Sequence, residues 1–236
     1  MKKNTTRSAI VGAFAVVLGL SFVAQANLVN SVLIDFGGTL TYSNQQPAGI
    51  YWNNIGGNET NRNLTATNNT ASGIGIVVSG ANGINSWNSG VTISTNLGKF
   101  AYDSVIADGL YNTAGVTATV TLTNLNSSYT YNLILYGARQ GSERYTYYTI
   151  GSTTKTQQTG SATAGWIPTN TTSFLSLTPD ANGKITMTFT GKDALNANTF
   201  SYLNALEIQV VPEPATIGML GLGAISVLIV RRLRNG

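Results

Sequence analysis

Apolar and hydroxylated positions alternate along much of the chain with the two-residue period of a half-buried β-strand. Across residues 114–125, Val116, Ala118, Val120 and Leu122 interleave with Thr117, Thr119, Thr121 and Thr123, so one face is suited to a core and the other to water. After a turn at residues 124–128 the alternation resumes over 129–136, with Tyr131, Leu133 and Leu135 on one side and Asn132, Ile134 and Tyr136 on the other. The two segments predict an antiparallel hairpin. A second hairpin is predicted from residues 174–177, the turn Pro179-Asp180-Ala181-Asn182-Gly183 and residues 185–190, where Ile185, Met187 and Phe189 alternate with threonines. Further strands are predicted over 31–36, 50–53, 73–79, 91–94, 145–150 and 202–210, and a single helical turn over 102–107. About nine short strands separated by Gly/Asn turns, with no long amphipathic helix and no fixed-period repeat, predict an all-β fold. The expected architecture is one antiparallel β-sandwich of jelly-roll type over residues 27–210.

Composition supports this. Thr (32), Asn (25), Ser (19) and Gly (26) together make 102 of 236 residues, a mixture suited to pleated surfaces and turns. The chain has no His and no Cys, which excludes a Ser-His-Asp triad, a thiol nucleophile, a disulfide and any imidazole or thiolate metal site. The formal net charge of +4 suggests nucleic acid until it is divided by region. Lys2, Lys3 and Arg7 carry it at one end and Arg231, Arg232 and Arg234 at the other, while residues 27–211 hold seven basic and eight acidic side chains. The domain has no basic surplus with which to bind a phosphate backbone.

Both ends read as targeting segments. Residues 1–26 combine a basic start, an apolar run and small residues at Ala24 and Ala26, the pattern of a secretory signal peptide cut by signal peptidase. Residues 215–230 are uncharged and would rise about 24 Å as a helix, against a hydrocarbon core of about 30 Å. The arginines that follow can snorkel to the inner interface and hold that end in the cytoplasm. Before this predicted transmembrane helix stand Pro212, Glu213 and Pro214, which keep the backbone extended and accessible to a processing enzyme. A Pro-Glu-Pro segment, a short apolar helix and an Arg-rich terminus, together residues 211–236, closely resemble the PEP-CTERM sorting signal of Gram-negative bacteria. The resemblance implies an inner-membrane-tethered intermediate, recognition at Pro212, Glu213 and Pro214 by an exosortase, and release to the envelope surface or an exopolysaccharide matrix.

A second resemblance lies in the ectodomain. The Leu-Ile-Asp-Phe-Gly-Gly opening at 33–38, Tyr51-Trp52-Asn53-Asn54, residues 121–139 ending in Tyr136-Gly137-Ala138-Arg139, and the closing stretch 202–208 resemble β-rich PEP-CTERM ectodomains. They are also similar to galactose-binding-like and malectin-like sandwiches, many of which bind carbohydrate. Sugar binding uses flat aromatics beside amides or guanidinium groups on sandwich-end loops. Trp52 with Asn53, Trp87, Trp166 and Arg139 are the candidates; the competing reading makes the tryptophans plugs and pairs Arg139 with Glu143. Asp35, at a strand end beside glycines, is a candidate Ca²⁺ ligand or a buried turn former; otherwise no cofactor is expected. A hydrolase here would need paired carboxylates, and Asp103 with Asp108, five apart, do not share a helix face. The expectation is a non-enzymatic, exported envelope or matrix protein that binds polysaccharide. The alternatives are a carboxylate-dependent carbohydrate-active enzyme and a purely structural surface protein.

Overall fold

The computed structural model describes residues 31–37, 49–86, 93–163, 167–193 and 195–212. The chain divides into a compact unit over residues 29–211 and a second unit formed by 1–28 with 212–236. Of the latter only Pro212 is described, so the predicted signal peptide and the helix over 215–230 lie outside the described residues. Among the described residues no helix is long and apolar enough to cross a membrane.

The unit over 29–211 is mostly β. Its strands are, in chain order, β1 (Val32–Asp35), β2 (Trp52–Asn54), β3 (Glu59–Thr65), β4 (Ala71–Ser79), β5 (Gly83–Ser86), β6 (Asp108–Asn112), β7 (Ala118–Thr123) and β8 (Tyr129–Tyr136). There follow β9 (Arg139–Gln140), β10 (Arg144–Ile150), β11 (Thr153–Ser161), β12 (Thr172–Leu177), β13 (Ile185–Lys192), β14 (Asn198–Thr199), β15 (Ser201–Leu203) and β16 (Ala205–Pro212). A 3-10 helix (Thr95–Phe100) and a one-turn helix α1 (Asp103–Ile106) lie between β5 and β6. A five-stranded sheet has the order β12-β8-β16-β1-β2, and an eight-stranded sheet the order β3-β4-β7-β13-β10-β11-β9, with β14 on β13. A small third sheet runs β15-β6-β5. Most pairings are antiparallel, as expected; β1 with β2 and β11 with β9 are parallel.

Alternation decides what each sheet buries. Val32, Ile34, Leu133, Leu135, Leu206 and Ile208 of the five-stranded sheet share one core with Ile76, Val78, Val120, Leu122, Met187 and Phe189 of the eight-stranded sheet. Each such side chain, withdrawn from water, contributes roughly 1.5–3 kcal/mol. The opposite face of the five-stranded sheet is also covered. Leu33, Trp52, Tyr136 and Ala205 pack there under Leu97, Phe100, Val105 and Ile106 from the 3-10 helix and α1. Phe100 meets Trp52 edge-on at 6.2 Å and stacks on Tyr136 at 6.3 Å. A strand is expected over 91–94; residues 91 and 92 lie outside the described residues, 93 and 94 are not strand, and the Ser94 hydroxyl caps the following 3-10 helix by accepting the Asn96 N–H. Lys99 on this helix pairs with Glu207, a buried carboxylate in β16.

The outer face of the eight-stranded sheet stays in water and is lined with hydroxyls. In register, Ser79, Thr119, Thr188, Thr149 and Thr154 form one row across five neighbouring strands. Thr149 and Thr154 share a hydroxyl–hydroxyl bond of 2.9 Å.

Neither predicted hairpin forms. β7 pairs with β4 and β13 in the eight-stranded sheet, whereas β8 pairs with β12 in the five-stranded one. β12 and β13 likewise belong to different sheets, so both connections are arches that carry the chain from one sheet to the other. The reason lies in residue 125. Leu125 is buried in the turn, its N–H donates to the Gly183 carbonyl at 2.9 Å, and Asn124 takes a left-handed φ of 59°. Each arch is held by the other instead of by a strand-to-strand ladder.

Candidate functional site

The segment Tyr136-Gly137-Ala138-Arg139 turns the chain out of β8 at one edge of the sandwich, and each residue has a separate task. Tyr136 is fully buried and donates its hydroxyl to the Pro168 carbonyl at 3.1 Å. At Gly137 a Cβ would stand 2.3 Å from the Tyr202 carbonyl oxygen and 2.5 Å from the Tyr148 hydroxyl, so only glycine lets these strands approach. The Ala138 N–H donates to Asn204 Oδ1 at 2.7 Å, and the Asn204 amide in turn donates to the carbonyls of Ile106 and Asp108.

Arg139 then reaches Tyr202. Its Nη1 donates to the Tyr202 hydroxyl at 3.1 Å, and Arg144, from the first position of β10, donates to the same oxygen. Tyr202 is held firmly for this: its N–H donates to Thr146 Oγ1 at 3.0 Å and its carbonyl accepts the Tyr148 hydroxyl at 2.7 Å. The guanidinium carbon of Arg144 lies 4.9 Å from the centre of the Phe200 ring. Burial pushes the Tyr202 phenol above its ordinary range, and the hydrogen bond from Arg139 and the charges of both arginines pull it partly back. Both arginines are partly exposed while Tyr202 is buried. Glu143 accepts the hydroxyl of Tyr145 at 2.7 Å.

The other expected sugar-binding residues are placed differently. Trp52 lies in β2, 7% exposed, under Phe100, and offers no open ring face. Asn53 faces the core and completes a backbone ladder, donating to the Thr65 carbonyl at 2.8 Å and accepting the Thr65 N–H at 2.9 Å. The strand expected over 50–53 is found as β2, and its parallel pairing with β1 holds both residues in the sheet instead of on an end loop. Trp87 and Trp166 lie outside the described residues. Arg144 and Tyr202 were missed, because 58 residues separate them and only the fold brings them together.

Asp35 is buried at the end of β1, and the carboxylate of Asp108 lies where a Cβ on Gly37 would go, 2.1 Å from that position. Among the described residues no group of three or more His, Cys, Asp or Glu could hold a metal ion. Asp108 is wholly enclosed in β6, a poor position for a carboxylate that must meet a substrate.

At the far end of the unit, β16 runs through Val211 and ends on Pro212. Residues 209–211 are strand. Glu213, Pro214, Arg231, Arg232 and Arg234, like Ala24 and Ala26, lie outside the described residues.

The family model of the PEP-CTERM protein-sorting motif matches residues 210–234, and the chain carries that motif. The motif implies export through a membrane-anchored intermediate and processing by an exosortase. No curated protein matches the chain. Among solved structures the chain is similar to the P-domain of Macrobrachium rosenbergii nodavirus, at 14% identity over 58% of this chain and 92% of that one, with a TM-score of 0.28. It is similar also to TmCBM61 in complex with beta-1,4-galactotriose, at 14% identity over 58% and 88% of the two chains and a TM-score of 0.30. A family 35 carbohydrate binding module from Clostridium thermocellum matches at 13% identity over 56% and 90%, with a TM-score of 0.28.

Proposed function

We propose that this chain is a non-enzymatic envelope or extracellular-matrix protein, released from the inner membrane by an exosortase, whose jelly-roll-type sandwich binds polysaccharide. The observation that carries the sorting half is the match at residues 210–234, joined without a linker to the last strand. Exosortase recognises Pro212, Glu213 and Pro214, while the apolar run and Arg231, Arg232 and Arg234 set their depth at the membrane. The binding half is supported by the edge bearing Arg139 and by the uncharged hydroxyl row of the larger sheet, beside which the partly exposed rings of Tyr145 and Tyr147 stand. Rings that cover the apolar face of a pyranose and polar groups that meet its hydroxyls are what such a ligand requires.

The test is Glu213→Ala in the producing cell. The expected result is a chain that keeps its C-terminal segment and accumulates in the inner membrane, seen as a slower-migrating band in the membrane fraction. Normal processing and release of that variant would overturn the sorting assignment.

A further inference from the structure

We propose that the end of the sandwich from which β16 leaves is a membrane-docking surface, which rests against an anionic phospholipid headgroup layer while the chain is tethered; the proposal rests on the membrane-anchored reading above. Covalent length brings the two together. β16 ends on Pro212 and the apolar run starts at Ala215, so only Glu213 and Pro214 intervene and the gap is at most about 11 Å. The headgroup layer on each side of the hydrocarbon core takes up about 5–8 Å of that. The run is itself short for the core, which draws the end of the strand further in.

The side chains at this end fit such a contact. Val32 stands opposite Ile208, so the start of β1 lies beside the last residues of β16. On one side Ile50 precedes β2, which runs parallel to β1, and with Ser31, Leu33 and Lys99 it lines an open cavity of about 270 Å³. On the other side β12 finishes along β8. There the Ser176 N–H donates to Asn132 Oδ1 at 2.9 Å and the Asn132 amide donates to Gln209 of β16 at 3.3 Å, which sets Leu175 level with the exit. Ile50 is 41% exposed, Tyr51 37% and Leu175 62%, three of the four large apolar side chains left exposed among the described residues. They occupy the two edges of the five-stranded sheet, about 19 Å apart, with the exit between them. The fourth, Leu195, follows β13 at the far end.

Charge points the same way. The arch between β12 and β13 carries Lys184, and Lys155 donates to the Ser173 carbonyl at 2.6 Å, close to Leu175. The carboxylate of that arch, Asp180, accepts the N–H groups of Asn182 and Lys184. Asp35 and Asp193, by contrast, stand where β1 and β13 finish, at the far end. Apolar side chains flanked by lysines are what an anionic bilayer surface holds.

The chain has no cysteine, so a single introduced one can carry a label. The experiment reconstitutes the full chain into vesicles of phosphatidylethanolamine and phosphatidylglycerol, with a fluorophore on Ile50→Cys, Leu175→Cys or Leu195→Cys and a nitroxide quencher on the lipid headgroups. Circular dichroism checks the fold of each variant. The expected result is loss of most of the fluorescence in Ile50→Cys and Leu175→Cys and little loss in Leu195→Cys. Replacing phosphatidylglycerol with phosphatidylcholine should weaken that quenching, and so should Lys155→Gln with Lys184→Gln in the anionic vesicles. Equal quenching at all three positions, or none at the first two in chains that resist carbonate extraction, overturns the docking surface and leaves the membrane-anchored reading standing. Unquenched Ile50→Cys or Leu175→Cys chains that, unlabelled, form disulfide-linked dimers overturn it in favour of a second copy. A chain that carbonate extracts from the vesicles overturns both.

Discussion

Asn204 separates β15 from β16 and satisfies backbone groups that no strand reaches. It is fully buried, accepts one N–H and donates to two carbonyls, so Asn204→Ala removes three buried hydrogen bonds. A loss of about 3 kcal/mol is expected, read as a lower denaturant midpoint with an unchanged slope. Lys99→Met tests another buried group. It leaves the Glu207 carboxylate enclosed without its cation, and since Lys99 is half-exposed the expected cost is about 2 kcal/mol, below that of a fully buried pair. The tyrosines set a limit at alkaline pH. Burial pushes the phenols of Tyr136 and Tyr148 far above their ordinary range. Above about pH 10 the unfolded chain releases these protons while the folded one keeps them, so stability is flat below that pH and falls beyond it. The phenolate absorbance of Tyr136 and Tyr148 should therefore appear only with unfolding, as a cooperative step, and ionisation of these two phenols in the folded protein would contradict their burial. At this scale the sequence was a poor guide to the site. Trp52 has the composition of a sugar platform, yet its exposure depends on whether residues 95–106 cross above it, which no local pattern encodes.

Single strands were the most legible elements. β7 and β13 show buried and half-buried residues at the alternating positions, because a period of two is a property of the strand itself. Partnership is a different matter: alternation says which face is buried and leaves open whether the next strand continues the same sheet or starts the opposite one. The turn at 124–128 looked like a hairpin, and its one contrary sign was Leu125, an apolar residue in a polar turn. β3 (ETNRNLT) and β11 (TTKTQQTGS) were missed for the converse reason, since both are polar and owe their strand form to long ladders with β4 and β10. The arches make a prediction of their own. Gly183 has a φ of 67°, and a Cβ there would stand 2.7 Å from the Leu125 carbonyl oxygen. Gly183→Ala should cost about 1–2 kcal/mol or more and lower the melting temperature, whereas Gly151→Ala, at a φ of 56° in open space, bears the conformational part alone.

For the whole molecule, the division of charge and the sorting motif describe one process. Removal of residues 1–26 and of the segment from Pro212 takes away Lys2, Lys3, Arg7, Glu213 and the three terminal arginines. The mature protein should then focus as a weakly acidic species, against a pI near 9.3 for the full chain, and isoelectric focusing of released material checks this. The fold class and the sorting segment were the parts best read from the sequence, one resting on a short period and the other on a contiguous motif. The arginine pair was not, because it is assembled from distant segments by sheet closure.

The place of β16 has a mechanical consequence. This strand lies between β8 and β1 in the five-stranded sheet and continues in sequence into the sorting motif, so tension applied through the C-terminal segment enters the sheet at this strand. Drawn lengthwise, the strand loads the ladders on both flanks in shear, and many hydrogen bonds must yield together, whereas a strand drawn sideways would unzip one bond at a time. The unit over 29–211 is thus anchored through an element suited to bearing load while the protein is still attached to the membrane.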